Sequence, residues 1–76
     1  MLTEGRILAV QERRFRVLTV EGQVYLLTLA TNAPIDELAL CHFRDTRTPV
    51  QVSFTGQPNL VGGVAHAVLP AAASHA

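Results

Sequence analysis

Arg14–Leu29, RFRVLTVEGQVYLLTL, is the stretch that decides the fold. Two runs rich in Val, Leu, Thr, Phe and Tyr flank Glu21-Gly22. An acidic residue followed by glycine is a two-residue turn signal, so the stretch reads as a β-hairpin. With Glu21-Gly22 as the whole loop, Val20 lies opposite Gln23, Leu18 opposite Tyr25 and Arg16 opposite Leu27. One face of the hairpin then carries Phe15, Val17, Val24 and Leu26. The other carries Arg14, Arg16, Leu18, Val20, Tyr25, Leu27 and Leu29. Both faces hold more apolar side chains than a solvated sheet needs, and the second is the expected place for a partner.

Outward from the hairpin, Gly5–Gln11 is an apolar run with Ile7, Leu8, Ala9 and Val10 in succession, the pattern of a strand buried on both faces. In a small barrel the first strand is long, curved and shared by both halves of the sheet, which suits such a run. Met1–Glu4 before it reads as a frayed end, and Glu12-Arg13 as the turn into the hairpin. After the hairpin, Asn32 is a helix-capping residue, Pro34 suits a first turn, and Asp36 and Glu37 complement the positive end of a helix dipole. Pro34–Arg44 is therefore expected to be a short helix that plugs a barrel end, with Ile35, Leu38 and His42 on one side and Leu40 and Phe43 on another.

Pro49–Thr55 alternates cleanly, with Val50, Val52 and Phe54 on one face. Gly56–Asn59 is a turn signal. Leu60–Leu69 reads as a last strand, with Val64, His66 and Val68 sharing a face and Gly62-Gly63 marking a bulge or a close crossing. Pro70 stops it. Residues 1–70 form one domain and 71–76 a flexible tail.

The order strand, strand, strand, short helix, strand, strand resembles the OB fold, a five-stranded antiparallel, partly open barrel. The resemblance is to an architecture and covers Gly5–Leu69 as a pattern. An SH3-like barrel, in which the helix shrinks to a turn, is the alternative, and a flat sheet with one helix comes third.

Composition bounds the function. Seventy-six residues, 49% of them hydrophobic and 5% aromatic, make one small domain whose core is built from Val, Leu, Ile and Ala. The single cysteine, Cys41, leaves no internal disulfide and points to a cytoplasmic setting. Neither a signal peptide nor an apolar run approaching about 20 residues is present, so no membrane role is expected. Six Arg, no Lys and six acidic residues give zero net charge, against the basic balance usual for a nucleic-acid binder.

Three constellations carry chemistry. Arg13, Arg14 and Arg16 with Tyr25 are the set that would contact a single-stranded nucleic acid, since OB-type barrels commonly bind strands across this hairpin. Arg14, Arg16, Leu18, Tyr25 and Leu27 on the same face form an apolar patch with an Arg and Tyr component, which suits a protein partner or a homodimer. Cys41, His42 and Asp45 lack the further ligands of a metal site, and Asp36 and Glu37 diverge on a helix and form no carboxylate dyad. No catalytic residue, cofactor or metal is assigned. The sequence predicts a non-enzymatic binding module acting through the face of the second and third strands, by protein contact or, alternatively, by single-stranded nucleic-acid binding.

Overall fold

The hairpin forms, with a loop one residue longer than the glycine signal suggests. In the computed structural model, which describes residues 1–59 and 63–71, strand β2 (Arg14–Thr19) pairs antiparallel with β3 (Val24–Leu29), and Phe15 faces Leu27, Val17 faces Tyr25 and Leu18 faces Val24. The Thr19 side chain decides the loop. Its Oγ1 accepts from the Gln23 N–H at 3.0 Å, and the Thr19 and Gln23 backbones bond at 2.7 Å. Val20, Glu21 and Gly22 are left as a three-residue loop, with Gly22 at φ +91°, where glycine alone sits without strain. A slip of one residue turns every β3 side chain to the opposite face. Tyr25, Leu27 and Leu29 therefore join Phe15 and Val17 inside, and Val24 and Leu26 point out.

Strand β1 (Leu2–Gln11) begins earlier than expected, because residues Leu2–Gly5 pair antiparallel with β4 (Val50–Thr55). Its second half pairs with β2. Gly5 belongs to both ladders, and a Cβ there would lie 2.0 Å from the Leu18 carbonyl oxygen. The run Ile7–Val10 is not buried on both faces. The register slips between Ile7 and Ala9, so Leu8 and Ala9 both turn to solvent while Ile7 is buried and Val10 packs partly against the core. This bulge bends the strand so that one chain serves both halves of the sheet.

Helix α1 is Glu37–Thr46, two residues or more later than expected at each end. Asp36, not Asn32, is the N-cap, with its Oδ1 accepting from Ala39 N–H at 3.1 Å. Arg47, in the left-handed region, ends the helix. The buried side is that of Leu40 and Phe43, whereas Leu38 is 78% exposed and His42 is exposed. β4 alternates as expected, with Val50, Val52 and Phe54 buried. In β5 (Val64–Pro70) a second bulge makes Ala65 and Val68 the inward pair and leaves His66 outside, bonded through Nε2 to Thr55 Oγ1 at 2.8 Å. The expected start of this strand at 60–62 and the tail at 72–76 lie outside the described residues.

Strand order β1-β2-β3-β5-β4 closes into a barrel, β1 against β4. The closing seam is short and parallel: Thr28 and Leu29 of β3 pair with Val64 and Ala65 of β5, so the sheet is mixed rather than purely antiparallel. This is the OB architecture, with its helix between the third and fourth strands. Above the seam, on the side away from β2, no strand among the described residues pairs with β3. Asn59 covers it: its side-chain oxygen accepts from Leu26 N–H at 2.6 Å, and its own N–H donates to the Leu26 carbonyl at 2.9 Å. The edge is thus satisfied by one asparagine instead of a strand.

Candidate interaction face

Alternation along β2 sends Arg14, Arg16 and Leu18 outward, because Phe15, Val17 and Thr19 are buried. The observed registers set their neighbours. Leu18 stands between Arg6 of β1 and Val24 of β3, Arg16 between Ala9 and Leu26, and Arg14 between Gln11 and Thr28. Leu8 projects beside Ala9 at the bulge. Leu8 is 46% and Val24 44% exposed, while Leu18 and Leu26 are half-buried. The outward face of three strands is therefore aliphatic, with arginines set between the aliphatic residues.

Six residues were expected to make contacts, and the structure divides them. Arg14, Arg16 and Leu18 do lie together on the outward face. Leu27 is 1% exposed and belongs to the core, a consequence of the one-residue register change. Tyr25 also turns inward. Its ring meets Phe54 edge-on, 5.9 Å between centroids, and its hydroxyl bonds Gln23 Oε1 at 3.2 Å at the barrel mouth. Val20, expected beside Leu18, is a loop residue at that same mouth, 70% exposed. Arg13 is occupied: its guanidinium donates to the Leu29 and Ala30 carbonyls and ties the β1–β2 turn to the end of β3.

Residues that the sequence reading passed over complete the face: Arg6, Leu8, Ala9, Val24 and Leu26. Arg6 was findable, because the Glu12-Arg13 turn pairs Gln11 with Arg14 and counting back places Arg6 near Leu18. The exposure of Leu8 had no sequence signal, since a bulge inside an apolar run leaves none.

Arginine outnumbers acid on this surface. Among the described residues, Arg44 makes the one ion pair, its Nε 2.9 Å from Asp45 Oδ1. That hydrogen bond raises the Arg44 pKa above its ordinary value. Among the same residues, Arg6, Arg14, Arg16 and Arg47 make no ion pair. Glu21 of the β2–β3 loop and Glu4, two residues before Arg6 on the same side of β1, line an open cleft of about 540 Å³ together with Met1, Leu2, Val20 and Tyr25.

Elsewhere the chemistry is sparse. Cys41 is half-buried, and His42 and Asp45 are exposed. Among the described residues no group of three His, Cys, Asp or Glu is placed to hold a metal ion, and no buried side-chain nitrogen or oxygen lacks a partner. No helix among them is long and apolar enough to cross a membrane. No family model, curated protein or solved structure matches the chain.

Proposed function

We propose that this chain is a non-enzymatic protein-interaction module that binds a partner through the outward face of β1, β2 and β3. One observation carries this. Leu8, Leu18, Val24 and Leu26 form an aliphatic strip interleaved with Arg6, Arg14 and Arg16, none of which makes an ion pair among the described residues. Monomeric surfaces seldom keep adjoining aliphatic side chains in water without a use for them, and arginine among them is the composition of an interface centre. A partner that covers the strip releases water from apolar surface and brings acceptors to the guanidinium groups. The lone cysteine suits a cytoplasmic setting for such a module.

The test uses the wild type and a Leu8→Glu/Val24→Glu variant, each immobilised in a cell extract. Both positions are more than two-fifths exposed, so the variant is expected to fold, which circular dichroism and the melting temperature check. Proteins retained by the wild type and lost from the folded variant are the expected result. Identical retention on both places the binding elsewhere.

Single-stranded nucleic-acid binding through the same face is the second reading, favoured by the unpaired Arg14 and Arg16 on the second strand of an OB-type barrel. With Tyr25 turned inward and Arg13 occupied, the face offers no aromatic platform for a base, and this ranks the reading second. NMR shifts at Arg14 and Arg16 on adding a mixed oligonucleotide, vanishing as salt rises, would move it first.

A further inference from the structure

Two clefts lined by arginine meet at the β1 bulge. One, of about 330 Å³, lies between β1 and the end of α1 and is lined by Arg6, Ile7, Leu8, Arg44 and Arg47. The other, of about 110 Å³, opens on the strand face and is lined by residues including Ala9, Gln11, Arg14, Arg16 and Leu26. Leu8 and Ala9 are consecutive, both exposed, and each borders one cleft, so the bulge is the ridge between them. Five of the six arginines therefore gather around the second half of β1. The sixth, Arg13, is held by backbone carbonyls. Of the six acids, Asp45 pairs with Arg44, Glu12 sits in the adjoining turn, and Glu4 stands two residues before Arg6 on the same side of β1. None of the six lines either cleft, so a chain of zero formal charge presents a local surplus of arginine there.

From this juxtaposition we propose that the two clefts form one docking track for an extended acidic polypeptide segment, whose carboxylates enter the arginine clefts and whose aliphatic side chains cover Leu8 and Leu26. The proposal rests on the interaction role proposed above and names the partner's chemistry. Charge complementarity sets the acidic character. The aliphatic surface sets the polypeptide class: Phe15, Tyr25 and Phe54 are turned into the barrel, so the bases of a nucleic acid would find nothing to stack on. A second copy using the same tract would bring arginine against arginine, which like-charge repulsion disfavours.

The experiment titrates the labelled full chain with a short peptide of alternating Glu and Leu, the same peptide with Gln for Glu, and a mixed single-stranded DNA. Amide shifts are expected with the Glu peptide at Arg6, Leu8, Ala9, Arg16 and Arg47, on both sides of the bulge. The affinity should fall by about tenfold between low and moderate salt. The Gln peptide should give no shifts. Arg16→Gln and Arg47→Asn each remove one of the arginines of one cleft, and asparagine tolerates the left-handed backbone of residue 47. Each should weaken binding by roughly threefold to tenfold. Absence of shifts at roughly 1 mM peptide, equal binding of the Gln peptide, or shifts confined to one cleft would overturn the proposal. Tighter binding of DNA at the same residues overturns it in favour of a nucleic acid, and line broadening there with protein concentration alone in favour of a second copy. Should the peptide fail while Leu8→Glu/Val24→Glu still loses its captured proteins, the interaction role stands and only the acidic partner falls.

Discussion

The arginines of the turn and of β2 follow one another in sequence and do different work. Arg13 donates to two carbonyls at the end of β3, whereas Arg14 and Arg16 extend into solvent. Arg13→Ala leaves those carbonyls without their charged donor and is expected to cost about 1–3 kcal/mol in denaturant unfolding. Arg14→Ala and Arg16→Ala, with no partner to lose, should stay within about 0.5 kcal/mol of wild type. Gly5 shows the sharpest steric limit. A methyl group 2.0 Å from the Leu18 carbonyl oxygen cannot fit unless β1 and β2 part. Gly5→Ala should cost at least about 3 kcal/mol, which a small domain of marginal stability reveals as a chain largely unfolded by circular dichroism at room temperature. Leu27 was expected on the contact face and is instead 1% exposed. Leu27→Glu should unfold the chain, while Leu8→Glu should not, a contrast that thermal melts of the two variants would check directly.

Among the elements, the β2–β3 loop sets which side of β3 is inside. Its three residues are held by Thr19 and by Gly22 at φ +91°. Gly22→Val, a β-branched residue forced to positive φ, should destabilise by about 1–3 kcal/mol in chemical denaturation; an added Cβ there meets nothing within 4 Å, so the cost is that of the backbone conformation. The start of the helix is held by one side-chain cap, Asp36. Asp36→Ala removes the acceptor of the Ala39 N–H and is expected to cost about 1 kcal/mol. β1 gains its curvature from a bulge that also exposes Leu8, so the feature that lets one strand serve two ladders is the same one that builds the ridge between the arginine clefts.

For the molecule as a whole, closure is the weakest link. Among the described residues the β3–β5 seam consists of two residue pairs, and above it Asn59 bonds the β3 edge. Local opening free energies follow such contact density. Hydrogen exchange should therefore find the Leu26 amide less protected than the Val17 amide at the centre of β2. Asn59→Ala should accelerate exchange at Leu26 well before it lowers the melting temperature. The charge distribution also belongs to this scale: a neutral chain gathers arginines of β1, β2 and α1 around two clefts that no acid lines. Association that depends on those arginines weakens as salt screens them.

The number, order and type of elements were set by local sequence: the apolar alternation of Val50–Phe54, the glycine turn after Glu21, and the acidic residues ahead of the helix are short-range signals that tertiary context did not override. Register was decided by the tertiary structure. Both faces of β3 are apolar, Val24 and Leu26 on one and Tyr25, Leu27 and Leu29 on the other, so alternation could not say which was buried. A loop of three residues instead of two exchanged them, and with them Tyr25 and Leu27 of the expected contact set. The two bulges, the side on which α1 is buried and the parallel seam are likewise tertiary outcomes, because each depends on how whole elements pack and no local residue pattern marks it. Arg14, Arg16 and Leu18 were legible as surface residues because β2 keeps strict period-two alternation between fixed neighbours. Leu8 and Leu26 became their companions through the bulged β1–β2 register and the three-residue β2–β3 loop, and Arg44 and Arg47 because α1, distant in sequence, packs against β1.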